Sequence, residues 1–241
     1  MLEHPVVQLR AFIAEQLSAD LPEGVHPVDA WCADPQFFPG ATGLLAASSW
    51  SEVVPGAQGV LSRLPDPPER GVLVLGNYQA TLSSYRRILS GKIGGFPTTW
   101  RVLRQLLASI SPSEVFLTNS YVGLPDLEKD TAPFPMTESF RRRCAELLRL
   151  QCELFRPRAA VCLGVPAAKL LASLATGLDA WQPWPSYGLL AAGDQRLVEG
   201  CELGGATFTA VSVQHLSAVI SNAERRLDAE LIALASALDR C

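Results

Sequence analysis

The sequence predicts a three-layer α/β/α sandwich built on a parallel sheet, and three observations carry that prediction. Four short apolar or β-forming runs stand out, at Gly71–Leu75, Glu114–Thr118, Ala159–Leu163 and Thr207–Val213. Longer segments with apolar residues at helical spacing lie between them, and strands alternating with helices imply a parallel sheet covered on both faces. Finally, 241 residues with 48% hydrophobic and 18% charged content suffice for one large domain with a sizeable core.

Taken in order, Val6, Leu9, Ile13 and Leu17 form a helical stripe over Val6–Leu17. From Pro22 to Pro68 the chain is rich in Pro, Gly and Ser, with Trp31, Phe37, Phe38 and Trp50 interleaved. It reads as an irregular lead-in that packs aromatics on the core, since a flexible linker would carry fewer large apolar residues. The strand Gly71–Leu75 then breaks into Gly76-Asn77-Tyr78-Gln79-Ala80. In open α/β sheets, ligands gather beyond the carboxyl ends of the strands, so this turn is the first place to look for a site.

Thr98 or Thr99 is placed to cap a helix carrying Leu103, Leu106, Leu107 and Ile110. The second strand closes on Leu117-Thr118-Asn119, and Gly123–Pro135 reads as a polar, proline-marked loop. A helix from about Thr137 to Phe155 turns Phe140, Cys144, Leu147, Leu148, Leu154 and Phe155 inward. Pro157 stops it, Gly164 closes the third strand, and Pro166 opens a helix at the turn where proline costs no hydrogen bond. Trp181-Gln182-Pro183-Trp184-Pro185 reads as a rigid aromatic loop. The fourth strand ends in Val213-Gln214-His215, and Asn222 caps a last helix with Leu227, Leu231, Leu234 and Leu238 inward. One domain results: a helix and lead-in over 1–70, a core over 71–221 and a closing helix over 222–241.

Composition narrows the function. No segment approaches the ~18 unbroken apolar residues of a membrane span, and the start lacks the basic patch and apolar run of a signal peptide. A cytoplasmic protein is expected. A net charge of −4 supplies no broad basic surface, although a local basic rim suffices for a few phosphate contacts. Arginines at 86–87, 101, 104, 141–143 and 225–226 read as solvated helix faces. The six cysteines are scattered without a C-x-x-C pair, so no metal site is expected; Cys144, Cys152 and Cys162 read as buried small hydrophobes.

At the strand ends the sequence resembles the uracil-DNA glycosylase superfamily. The matching pieces are Val72–Ala80, Val115–Asn119, Phe155-Arg156-Pro157 with Ala160–Gly164, and His215-Leu216-Ser217, in the family's order across roughly residues 70–220. The resemblance implies a single glycosylase-like domain with a central four-stranded parallel sheet and a base pocket at its carboxyl edge. It implies removal of uracil or a related deaminated base from DNA, in base excision repair, after the base is flipped out of the helix. It implies no cofactor, and the cysteines do not match the members that hold an iron–sulfur cluster.

The residue types suit that chemistry. Breaking an N-glycosidic bond leaves negative charge on the departing base, and by resemblance His215 donates a hydrogen bond to uracil O2, as donors do in an oxyanion hole. A neutral imidazole has the one N–H this needs. Asn119 would read the base, its amide offering a donor and an acceptor side by side to O4 and N3–H. Cytosine presents the opposite pattern. Phe96 or Trp100 would stack on the base, and Ser217 or Ser221 would hold phosphate.

Two departures from the family pattern bear on mechanism. Tyr78 stands where members usually carry an acid or amide, and the proline that follows is absent, Gln79 taking its place. Asn77 aligns with the acid of another branch, so Asn77 or Gln79 would orient the attacking water, with Asp34 or Asp126 as loop substitutes. His215-Leu216-Ser217 lacks the proline common at its centre. These departures keep open a nucleobase- or DNA-binding module that has lost turnover, and a hydrolase of small nucleosides.

Overall fold

The computed structural model describes residues 5–27, 70–78, 81–89, 98–111, 114–127, 134–183, 195–214 and 223–239. Its elements in chain order are α1 (Pro5–Phe12), β1 (Val25–His26), β2 (Val72–Tyr78), α2 (Leu82–Leu89), α3 (Thr98–Leu106), β3 (Val115–Tyr121), β4 (Leu124–Pro125), α4 (Glu138–Phe155), β5 (Ala159–Leu163), α5 (Val165–Leu174), β6 (Leu197–Leu203), β7 (Ala206–Val213) and α6 (Ala223–Leu238). The main sheet runs β3-β2-β5-β7-β6. Its first four strands are mutually parallel, and β6 pairs antiparallel with β7.

Parallel strands covered on both faces should read as unbroken apolar runs, and these do. Val72–Leu75 and Ala159–Cys162 are each no more than 1% exposed. Alanines at 159 and 160 give the central strand a low profile against the helices. On β3, Phe116 meets Phe155 of α4 with ring centroids 4.7 Å apart. Thr137 starts α4 with its hydroxyl accepting from the Phe140 N–H, as a side-chain N-cap. The helix ends at Arg156, whose left-handed backbone (φ 44°) turns the chain into Pro157.

The four parallel strands stand where the sequence predicts them, and several details differ. The sheet has a fifth strand. β6 reads Leu-Val-Glu-Gly-Cys-Glu-Leu, with Glu199, Gly200 and Glu202 exposed and a register shift between Val198 and Cys201. That is edge-strand chemistry: charge and a bulge discourage further pairing, and they also erase the apolar signal. It reaches β7 through Gly204-Gly205, both at positive φ (59° and 73°). The segment Gly76–Tyr78 continues β2 instead of opening a turn, and β3 runs on through Tyr121. Helix α2 was not expected, nor was the short β1–β4 pairing inside the stretches read as irregular.

The first helix is regular only to Phe12; a wider turn over Ile13–Leu17 follows, with the Ser18 hydroxyl donating to the Ile13 carbonyl. Leu9, Ile13 and Leu17 are buried as the stripe predicts. Arg143 of α4 pins this segment through Asp20 at 3.0 Å while also meeting Glu146 at 2.8 Å. Thr98 and Thr99 lie inside the first turn of α3 rather than ahead of it. On α6, Leu234 is buried and Leu231 and Leu238 are half-buried against the core. Trp181 is fully buried and its indole N–H donates to the Gln195 carbonyl at 2.8 Å, so this tryptophan packs. The Asn222 cap and most of the lead-in lie outside the described residues. No described helix is long and apolar enough to cross a membrane.

Cys144, Cys152, Cys162 and Cys201 are buried free thiols. Burial pushes Cys144 and Cys152 up to about 12 and Cys201 up to about 11, and Cys162 also rises. The thiolate is the reactive form. At pH 8 these four should therefore resist iodoacetamide in the native protein and label only on unfolding. Peptide-resolved mass spectrometry reads this directly, and rapid native labelling of any of them would contradict the packing described.

Candidate functional site

The site is built where β2 and β3 end side by side. Gly76 stands opposite Asn119 in the parallel register, and Tyr78 opposite Tyr121. A Cβ on Gly76 would collide with Oδ1 of Asn119. The carboxamide of Asn119 therefore lies across the bare backbone of the neighbouring strand, and only glycine leaves room for it there. Asn119 itself is half-buried, two residues before the carboxyl end of β3.

Its two sequence neighbours are held from other directions. The buried Gln151 of α4 donates from Nε2 to Thr118 Oγ1 at 3.1 Å. Ser120, 1% exposed, donates from its hydroxyl to the Gly76 carbonyl at 2.9 Å. Both bonds lie away from bulk water and so face little competition from it.

Asn77 follows Gly76 directly. Its Oδ1 is shut off from solvent and accepts no hydrogen bond among the described residues. Leaving a buried amide oxygen unmet costs about 1–3 kcal/mol. Such an atom beside a strand-end site is suited to receive a proton donor, either a water or a polar ligand group.

Farther out, Tyr121 is half-buried and its ring lies 5.4 Å from Phe134, which stacks in turn on Phe140 at 5.8 Å. Desolvation raises the Tyr121 hydroxyl above its ordinary range; Cys144 adds to that and Arg141 opposes it. The phenol stays protonated at neutral pH and can donate. On α4, Arg141 is exposed and paired with Glu138, and Arg142 is exposed. On the other side of β2, the Gly164 N–H donates to the Val213 carbonyl at 2.9 Å and joins the ends of β5 and β7.

Of the residues expected at the site, the structure brings Gly76 and Asn119 together, with Asn77 next to Gly76 in β2. Tyr78 closes β2 by its backbone. Gln79, Phe96, His215 and Ser217 lie outside the described residues, as do Asp34 and Ser221, and so does the side chain of Trp100. Asp126 is exposed, with its N–H bonded to the Gly24 carbonyl beside the β1–β4 pair. Ser120, Thr118 and Gln151 were not singled out from the sequence. Their one signal there is hydroxyls on both sides of Asn119, which a strand ending at Thr118 conceals.

The model of the Uracil DNA glycosylase superfamily matches residues 69–238, from the start of β2 to the end of α6. No curated protein matches the chain.

Proposed function

Because the chain belongs to the uracil-DNA glycosylase superfamily, we propose that it removes uracil, or a related deaminated base, from DNA by hydrolysing the N-glycosidic bond. A DNA glycosylase-like function in general follows from the family; the base, the turnover and the residue roles are our reading. The observation that carries it is the seat of Asn119 on Gly76, which is followed in the chain by Asn77 with its unmet Oδ1.

A base flipped into this edge meets the amide of Asn119. The amide N–H₂ donates to O4 and Oδ1 accepts from N3–H, a pairing cytosine cannot offer. When the C–N bond breaks, its electron pair leaves with the base and the sugar carbon becomes electron-poor. His215 donates to O2 and stabilises the anion. A water held by Asn77 Oδ1 then bonds to the sugar carbon and releases its proton to solvent or to the departed base. Asn77 orients that water and does not deprotonate it. Gly76 and Tyr78 supply backbone to the pocket wall, Gln79 extends it, Phe96 stacks on the base, and Ser217 holds a phosphate.

One feature supports a second reading, a nucleobase-binding module without turnover. No acid occurs in Gly76–Ala80, so the water is oriented but not activated. Single-turnover incubation with uracil in single- and double-stranded oligonucleotides, then alkaline cleavage at abasic sites, separates the two. The wild type should yield abasic product. His215→Ala should be slower by about 10²–10³-fold, the loss typical of one oxyanion donor. Binding without product would establish the module. Absence of salt-sensitive DNA binding even at low salt would overturn both and leave a small-nucleoside hydrolase.

A further inference from the structure

We propose that Ser120 is a positioning residue, which holds the carboxamide of Asn119 in one orientation by clamping β3 to the Gly76 carbonyl. The inference rests on the reading of Asn119 as the base-reading residue. An asparagine amide turns on a broad, nearly two-fold torsion. Turned by half, it exchanges donor and acceptor and matches cytosine as well as it matched uracil. Selectivity therefore depends on what holds that torsion.

Two contacts act on it together. Oδ1 of Asn119 occupies the space over Gly76 that any Cβ would fill, so the distance and register of these strands decide whether the oxygen fits. Ser120 sets that distance at the same pair, its hydroxyl 2.9 Å from the Gly76 carbonyl oxygen and nearly inaccessible to water. On the other side of Asn119, Thr118 is fixed to α4 through Gln151. The reading residue sits between two anchored neighbours. Because Gly76 also precedes Asn77, the same bond fixes the start of the water-holding segment.

The test compares Ser120→Ala and Ser120→Thr with the wild type. Single-turnover rates on uracil- and cytosine-containing oligonucleotides give a discrimination ratio, which a mere loss of folded enzyme leaves unchanged. Ser120→Ala should lower that ratio about tenfold, in keeping with one buried hydrogen bond, and Ser120→Thr should restore it. In parallel, ¹⁵N relaxation of the Asn119 side-chain amide should show greater mobility in Ser120→Ala. An amide equally ordered in that variant, or an unchanged ratio in an active enzyme, would overturn the clamp. Should the wild type not discriminate uracil, the reading of Asn119 fails, and the relaxation measurement still decides whether Ser120 holds its side chain.

Discussion

Gly76→Ala should cost about 100-fold or more in uracil excision while leaving the protein folded. The two effects separate because of what the new methyl meets. Gly76 is not among the residues at positive φ, so alanine suits its backbone. The collision is with Oδ1 of Asn119, while Cγ of that residue and the Thr118 carbonyl lie at 3.5 and 3.7 Å, ordinary contact distances. The atom that must yield is the end of a side chain, and it yields by rotation. Alanine in a strand also recovers about 0.5–1 kcal/mol of the entropic cost of glycine. Stability should therefore change by no more than about 1 kcal/mol. Recognition has no such relief, since displacing a positioned group by about 1 Å can cost 10²-fold in rate. Thermal unfolding alongside single-turnover excision reads both quantities. A variant with full activity would show that Asn119 does not read the base from this seat.

That prediction turns on a contact the sequence does not display, and the contrast shows where local pattern ends. β5 was legible to the residue, because Ala159–Leu163 is apolar throughout and bounded by Pro157 and Gly164. Helix α4 was equally plain, its span from about Thr137 to Phe155 and its buried Phe140, Cys144, Leu147 and Leu148 following from spacing, while the Thr137 cap emerges only in the structure. β6 was not, because an edge strand carries Glu199 and Gly200 where an inner strand carries valine. The ends of β2 and β3 were misjudged for a related reason. Gly76-Asn77-Tyr78 has turn composition, and only pairing with Asn119 and Tyr121, some forty residues away in sequence, draws it into the sheet.

The site divides along the same line. Asn77 and Asn119 are recognisable by residue type and by their place at strand ends. The glycine that seats Asn119 and the serine that spans to it act through tertiary contacts, and a lone serine in a strand advertises no partner. Gln151 is the plainest case. On a helix face otherwise filled by Leu147, Leu148 and Phe155 it reads as an interruption, yet it is buried because Thr118 accepts its amide.

Asn119→Asp separates the chemistry of the reader from its position. The side chains are nearly isosteric, so one carboxylate oxygen should keep the place over Gly76 and the Ser120 bond should stand. What changes is the second terminal atom, from donor to acceptor. Opposite uracil it would face O4 with lone pairs on both sides, and the carboxylate also brings a charge into a half-buried site. A site built to hydrogen-bond its substrate can lose 10⁴–10⁵-fold when its polar groups are left unmet, so excision should fall by about 10³-fold or more. Affinity for undamaged DNA should hold within about threefold, because phosphate contacts supply most of it. Discrimination between uracil and cytosine should shrink as well, since a carboxylate accepts from the cytosine amino group where the amide N–H₂ could not. Rates on the two bases and binding to undamaged duplex check all three. A variant with unchanged base preference would rule out Asn119 as the reader. If Gly76→Ala lost activity and Asn119→Asp did not, the Gly76 backbone itself would be what the base requires.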